Sequence, residues 1–276
     1  MNVSVLILTL NEELNLERCL ASLEWCDDVV VLDSKSKDRT LEIAEKLGAR
    51  VVERSFDNYA NQRNYGLQEI AYKYPWLLMV DADEVVTPEL IVEIEETLKN
   101  VTSELCIFRM RRKDFFMGQW IRRSSGYPTW FGRLVKIGTV RVERSINEEY
   151  VTDGEVGLLS EHLLHYPFNK GFHAWIEKHN KYSTMEAELL EIKQSDKILL
   201  MNVFSADPVS RRKTIKQLVY RMPGRPFLMF CALYIIRGGF LDGKAGLMFC
   251  LLRSFYEFMI VCKVVEAKIR QKGLAL

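Results

Sequence analysis

Short runs of β-branched and other apolar residues, Val3 to Leu8, Val29 to Leu32, Arg50 to Val52 and Trp76 to Val80, alternate with longer amphipathic stretches in the N-terminal part of the chain. Runs of that length read as strands and the stretches between them as helices, so the order predicts repeated β-α units on a mainly parallel sheet. Leu14 to Leu23, Thr40 to Leu47 and Tyr59 to Tyr72 carry the helical spacing. Gly48 is placed to close the second of these as a C-terminal cap. Thr87-Pro88 is placed to open a further helix, with threonine as N-cap and proline at the first helical position. After Lys113 the periodicity weakens into an aromatic and glycine-rich stretch, Phe115 to Ile121 and on to Trp130-Phe-Gly132, expected to form substrate-binding loops. Helical spacing returns from Phe172 to Leu190. The expected fold class is therefore α/β, a mainly parallel sheet flanked by helices, followed by an apolar helical C-terminal extension. The expected junction is at Asp207 or Pro208, giving domains 1–207 and 208–276.

With 276 residues, 48% hydrophobic and 27% charged, the chain can bury one substantial core and a smaller appendage. The net charge of +1 hides a segregation: Pro208 to Leu241 holds no Asp or Glu but carries Arg211, Arg212, Lys213, Lys216, Arg221, Arg225 and Arg237. That stretch is a candidate surface for anionic partners; no nucleic-acid partner is expected. The six cysteines make no CxxC pair, which fits a reduced, cytoplasmic chain. The N-terminus is apolar without a basic leader or a small-residue cleavage site, and reads as a strand rather than a signal peptide. No apolar run reaches the ~18 residues of a spanning helix. The tail from Phe227 to Val265, broken by Gly238, Gly239, Gly243 and Gly246, instead suits interfacial or re-entrant packing.

Chemistry gathers at the strand ends. Asp81-Ala82-Asp83-Glu84 follows the apolar strand Trp76 to Val80, at the carboxyl edge where α/β sheets bind ligands. Hard oxygen donors in that spacing suit Mg2+ or Mn2+ beneath phosphate oxygens, although a surface acidic turn ahead of the Thr87 helix would read the same. A second strand ends in Asp33, followed by Ser34, Ser36, Asp38 and Thr40, which can accept hydrogen bonds from a ribose or base beside a helix N-terminus. Asp38 also reads as a simple N-cap. The first strand ends in Thr9-Leu10-Asn11-Glu12-Glu13, with no GxGxxG, which speaks against a dinucleotide-binding oxidoreductase. The lack of a glycine-rich basic loop there also argues against a nucleotidyltransferase.

As an ordered set over Val3 to Glu84, strand-T-x-N-E, strand-D-x-x-S-x-D-x-T and strand-D-A-D resemble family 2 glycosyltransferases of the GT-A (Rossmann-like) fold. The resemblance implies a metal-dependent, inverting transferase that uses a nucleotide-sugar donor. Gln62-Arg63-Asn64 resembles the family's Q-R-N segment; a helix-surface ion pair is the other reading of Arg63. By resemblance, Thr9, Asn11, Glu12, Asp33 and Arg63 line the nucleotide pocket, Asp81 touches ribose or phosphate, and Asp83 ligates Mg2+ or Mn2+. His165, in Leu163-Leu-His165, matches a histidine of the same subgroup, either a further metal ligand or phosphate contact, or a hydrogen-bonded structural histidine. An inverting transfer needs a general base. Glu148 aligns with the subgroup's V-H-E, with Asn147 in place of the histidine, and Glu149 and Glu143 remain alternatives.

Lys178-x-Asn180-x-Tyr182-Ser183 with Ala187, Arg221-Met-Pro-Gly-Arg225-Pro226 and Tyr234 to Gly246 resemble bacterial glucosyltransferases of the lipopolysaccharide inner core. That subclass implies glucose from a UDP-sugar as the transferred hexose and a saccharide or lipid-linked glycan acceptor. It also implies peripheral attachment at the inner face of the cytoplasmic membrane, arginines on anionic headgroups and aromatics in the interface. For the tail, the alternative is a buried helical pair or a homo-oligomer contact. For the whole chain, it is a non-catalytic membrane-associated module that binds a nucleotide-sugar or glycan without turnover.

Overall fold

The computed structural model describes residues 1–143, 149–193 and 224–275. They fall into two units, Met1–Phe115 with Tyr127–Asn169 and Phe116–Gly126 with Lys170–Leu276.

In the first unit, strand β1 (Val3–Thr9) is buried along almost its whole length. A strand that is apolar on both sides must be covered on both, and parallel neighbours with helical crossovers do this. β1 pairs in parallel with β2 (Val29–Asp33) and with β4 (Trp76–Asp81), and β3 (Arg50–Glu53) extends the sheet beyond β2. The register sets Thr9 opposite Asp33 and Leu8 opposite Asp81, so three strands deliver polar residues to one edge. Helices α1 (Leu16–Ala21), α2 (Thr40–Lys46), α3 (Tyr59–Gln68) and α4 (Pro88–Lys99) flank this sheet. Val5, Ile7, Leu16, Leu78 and Val80 form the core on one face, and Leu6, Leu32, Ala60, Leu67 and Met79 on the other. Each such fully buried aliphatic side chain contributes roughly 1.5–3 kcal/mol.

The expected caps form. Gly48 takes φ of +78° after α2, Ala49 N–H donates to the Ala44 carbonyl, and Thr87 Oγ1 accepts from Leu90 N–H at 3.2 Å. Asp38 sits one residue before the helix boundary and accepts from Thr40 N–H at 3.1 Å and its hydroxyl at 2.5 Å.

The sheet then turns mixed. β5 (Glu84–Val86), β6 (Leu105–Phe116), β8 (Trp130–Lys136) and β11 (Glu155–His165) complete the order β3-β2-β1-β4-β8-β6-β11-β5. β8 is antiparallel to both β4 and β6, so β6 runs with β4 and ends at the same edge. β9 (Val140–Glu143) and β10 (Glu149–Thr152) form a separate antiparallel pair. The aromatic stretch expected as loops is strand at its two ends and mostly turn between them: β6 runs to Phe116, β7 is Gln119–Trp120, residues 121–129 form turns and loop, and Trp130 opens β8.

The second unit is helical: α5 (Gly171–Lys193), then α6 (Arg225–Cys231) continuing into a π turn (Ala232–Ile236), a 3-10 turn (Gly239–Asp242) and α7 (Gly243–Gln271). α5 and α7 are tied by Lys263, whose ammonium donates to the Asn180 side chain at 2.7 Å and to Thr184 Oγ1 at 2.6 Å. Two glycines allow the sharp reversal before α7. A Cβ on Gly246 would lie 2.2 Å from the Gly239 carbonyl oxygen, and one on Gly239 would lie 2.7 Å from that of Leu233. Asp242 Oδ2 accepts from the backbone N–H of Arg123 at 2.8 Å and of Ser124 at 2.7 Å, fixing the turn.

One expectation for the tail is corrected. Arg225 does not face an anionic surface; it is buried in an ion pair with Glu257, because a guanidinium at the start of α6 needs a partner once α7 packs over it. Arg237 is exposed, whereas Arg211, Arg212, Lys213, Lys216, Arg221 and the expected Asp207–Pro208 junction lie outside the described residues. The segment Gly239–Gln271 is long and apolar enough to cross a membrane by length and composition, with 28% of its most apolar window buried. A search for uninterrupted apolar runs misses it because Arg253 and Glu257 punctuate it.

Candidate active site

The loops after β1 and β2 are zipped together by their own polar side chains. Asp33 is fully buried; its Oδ2 accepts from Thr9 Oγ1 at 2.8 Å and from Ser36 Oγ at 2.5 Å, and its Oδ1 from Ser36 N–H at 2.7 Å. Asn11, in a left-handed conformation at φ of +54°, accepts from Lys37 N–H at 2.8 Å, and its own N–H donates to Ser36 Oγ at 2.8 Å. Glu12 N–H donates to Thr40 Oγ1 at 2.7 Å. Asp33 thus braces the loops from beneath, while Asn11 and Glu12 stand at the rim.

Beside them lies a buried cluster of charge. Asp81 accepts from Arg63 Nη2 at 3.0 Å and from Arg133 Nη2 at 2.5 Å. Arg133 also donates to Glu84 at 2.7 Å, and Glu84 Oε2 accepts from Asp81 N–H at 2.9 Å. Burial works against charge on Asp81, but Arg133 and Arg63 outweigh it and hold its carboxyl well below the usual carboxylate range. Glu84 goes the other way, raised by burial and by Asp81 despite Arg133. Arg63 is therefore a buried partner of the acidic strand end and not a helix-surface ion pair.

The next group runs outward through histidine. His165 Nδ1 meets Asp114 Oδ1 at 2.7 Å, its Nε2 lies 3.3 Å from Asp83 Oδ2, and Arg112 Nε donates to Asp114 at 3.0 Å. The register explains the geometry: Asp114 of β6 is directly opposite His165 of β11, which in turn is opposite Glu84 of β5. Burial opposes charge on His165, but Asp83 and Asp114 outweigh it and raise the imidazole to about 9.

Among the described residues no three His, Cys, Asp or Glu side chains converge as a closed metal cage. Asp83 and His165 nevertheless face each other as a carboxylate–imidazole pair at 3.3 Å. That open pair suits Mg2+ or, with its nitrogen donor, Mn2+, the remaining positions being left for phosphate oxygens and water. Asp81 is engaged by two arginines, Arg63 and Arg133.

Glu148 lies outside the described residues. The strands flanking it are well anchored: Asn64 of α3 accepts from Val142 N–H and donates to its carbonyl, each at 2.8 Å, and Tyr150 Oη reaches Met79 Sδ at 3.6 Å. The β9–β10 pair is thereby held next to Arg63 and two residues short of Asp81. Glu143 pairs with Arg141 at 3.0 Å on the surface and stands opposite Glu149 in the register.

Arg112, Asp114 and Arg133 went unread in the sequence. Arg133 enters through a β-bulge: Phe108 faces Leu134 while the next residue, Arg109, faces Gly132, so Arg133 is the extra residue. Bulges of this kind re-aim a side chain near a site. The available signal was an arginine inside the apolar run Phe131 to Val135, which when buried must have an acidic partner.

The sequence profile of Glycosyl transferase family 2 matches residues 4–149. The lipopolysaccharide core biosynthesis glycosyltransferase LpsC of Rhizobium meliloti is 26% identical over 273 residues, which cover 96% of this chain and 92% of that protein. A glycosyltransferase of Rickettsia conorii is 26% identical over 284 residues, covering 99% of this chain and 93% of its own. Among solved structures, the mannosyltransferase PcManGT of Pyrobaculum calidifontis, in complex with GDP-Man and Mn2+, matches at a TM-score of 0.52 and 15% identity, covering 96% of this chain and 87% of that one. That likeness is one of fold.

Proposed function

The chain belongs to glycosyl transferase family 2, and from that premise we propose that it is a metal-dependent, inverting enzyme that moves a hexose, glucose from UDP-glucose, onto a saccharide or lipid-linked glycan of the cell envelope. The observation that carries this reading is the convergence of Asp83 and His165 at 3.3 Å beside Asp81, which two arginines hold ionised at the carboxyl edge of the sheet. The similarity to LpsC supports an acceptor in lipopolysaccharide core assembly.

In this reading Asn11 and Glu12 form the rim of the nucleotide pocket, Thr9 and Asp33 brace it, and Arg63 and Asp81 orient ribose and diphosphate. Asp83 and His165 hold the divalent cation, which when bound neutralises charge on the departing diphosphate. Asp114 fixes the His165 ring through Nδ1, leaving Nε2 directed at Asp83. Glu148 takes the proton of the acceptor hydroxyl as that oxygen attacks the anomeric carbon, with Glu149, which opens β10, and Glu143, which ends β9, as alternatives. Asn64 holds β9 in place by clamping Val142. The second unit attaches to an anionic membrane surface: Phe227, Ile235, Ile236, Phe240 and Leu241 are exposed, and the basic residues between Arg211 and Arg221 meet headgroups.

Release of UDP from UDP-glucose, with and without Mn2+, tests the reading. The expected result is metal-dependent release that Asp83→Ala abolishes and Glu148→Gln reduces on an acceptor. Nucleotide binding without any turnover would instead mark a non-catalytic binding module. Membrane attachment is checked by co-sedimentation with anionic liposomes, which should weaken when Arg211, Arg212 and Lys213 are neutralised.

A further inference from the structure

We propose that Arg111, Trp130 and His162, a row across three adjacent strands closed by Tyr127, form the acceptor subsite and select a saccharide bearing an anionic group, phosphate or carboxylate, close to the ring that is glycosylated. This rests on the glycosyltransferase reading and adds the class of acceptor to it.

The row is set by register. Arg111 of β6 is directly opposite Trp130 of β8 on one side and His162 of β11 on the other. All three lie at the strand ends that share an edge with Asp81, since β6 and β11 run with β4 while β8 begins there. The row shares its sheet face with the β9–β10 pair: Gly132, two residues beyond Trp130, lies beneath Tyr150, 3.4 Å from where its Cβ would be. A ligand on this face therefore lies on the side of the sheet that carries Arg63 and the β9–β10 pair.

The chemistry of the row suits a charged sugar. Trp130 is 38% exposed and offers an indole face to the C–H face of a pyranose. The Arg111 guanidinium lies 5.2 Å from the Trp130 ring and 5.9 Å from that of Tyr127, and donates to the Ser160 carbonyl. Tyr127 stacks on His162 at 5.8 Å, with its hydroxyl 2.6 Å from Nε2. A guanidinium held this way presents a planar fork that matches phosphate and carboxylate oxygens, and less ordering remains to be done when a ligand arrives. Arg109 and Lys113, at alternate positions on β6, put two more cations on the same face, and Glu161 lies 3.5 Å from His162 Nδ1. Burial, then the charges of Lys113 and Arg111, push His162 below its ordinary value, as expected where positive potential gathers. A cross-strand packing role alone would need the Trp130–Arg111 contact but not the excess of positive charge.

The test is binding to the full chain, followed by saturation-transfer NMR and calorimetry, with glucose, glucose 6-phosphate and glucuronic acid as probes. The wild-type chain should bind at least one charged probe ten-fold or more tightly than glucose; preference for glucose 6-phosphate identifies phosphate as the group, preference for glucuronic acid identifies carboxylate. Arg111→Gln should erase the preference and Arg111→Lys restore part of it. Trp130→Ala should weaken all three probes, and Trp130→Phe should not. Should Arg111→Gln lose its fold with the Ser160 contact, Arg109→Gln and Trp130→Ala still read the row. Equal affinity for all three probes, or a charge preference that survives these variants, overturns the proposal. A chain that binds charged probes but releases no UDP from UDP-glucose would fail the glycosyltransferase reading and leave the subsite standing.

Discussion

The two units bury opposite things. In the first, the sheet edge encloses Asp81, Glu84, Asp114, Arg112, Arg133 and His165 in one network of ion pairs. In the second, apolar side chains such as Phe227 and Ile236 stay exposed, the latter at 82%, around a buried ion pair, Arg225–Glu257. Two histidines make the contrast concrete. His165 lies between two carboxylates and is raised to about 9, whereas His179, stacked 3.8 Å from Trp175, is pushed by burial down to about 4. One unit confines charge at a sheet edge, whereas the other leaves apolar side chains on its surface.

Removing charge from the first unit should have the largest effect. Arg133→Leu leaves Asp81 and Glu84 buried without their shared partner, a loss of about 3–5 kcal/mol read as a drop in the denaturant midpoint. Replacing Arg133, Asp81 and Glu84 together with apolar residues should recover much of that stability, and on the proposed reading should abolish nucleotide binding.

In the second unit the sensitive feature is steric. Gly246→Val forces a Cβ against the Gly239 carbonyl and should cost about 1–3 kcal/mol or more by thermal melting. The same substitution at Gly118, where a Cβ meets nothing within 4 Å, carries only the backbone strain of φ +75°.

Smaller and more local is Asp114→Asn. It keeps the shape beside His165 but weakens the carboxylate that orients the ring, and Mn2+ affinity, followed by EPR in the presence of UDP, should fall by about 10–100-fold with little change in melting temperature.

The smallest effect separates the histidines by pH. His165, with its folded value above the unfolded one, stabilises fully below about 6.5, and this contribution fades as pH rises through 9. His179, with its folded value below the unfolded one, stabilises above about 6.5 and loses that contribution as pH falls toward 4. Melting of chelated protein across pH should therefore show His179→Gln flattening the acid limb and His165→Gln the alkaline one.

What the sequence makes legible follows from where the signal is local. β1, β2 and β4 are continuous apolar runs, and Thr9, Asp33 and Asp81 sit directly at their ends, so the polar edge can be read from spacing alone. Arg133 depends on a bulge between β6 and β8, and Asp114 on pairing with a strand fifty residues away, and neither leaves a local trace. Arg225 illustrates the converse error: a basic run in sequence looks like a surface, yet α7 supplies Glu257 and takes Arg225 inside. Asp33 is intermediate, correctly placed at the edge but committed to Thr9 and Ser36 beneath the loops it organises.

The central claim, that Asp83 and His165 hold the metal under the diphosphate while Asp81 only orients, is tested most directly by anomalous diffraction from crystals grown with Mn2+ and UDP. The account predicts one manganese peak at about 2.0–2.2 Å from an Asp83 carboxylate oxygen and His165 Nε2, with Asp81 still bound to Arg63 and Arg133. A peak on Asp81 or Glu84, or ordered UDP with no metal between Asp83 and His165, would contradict it.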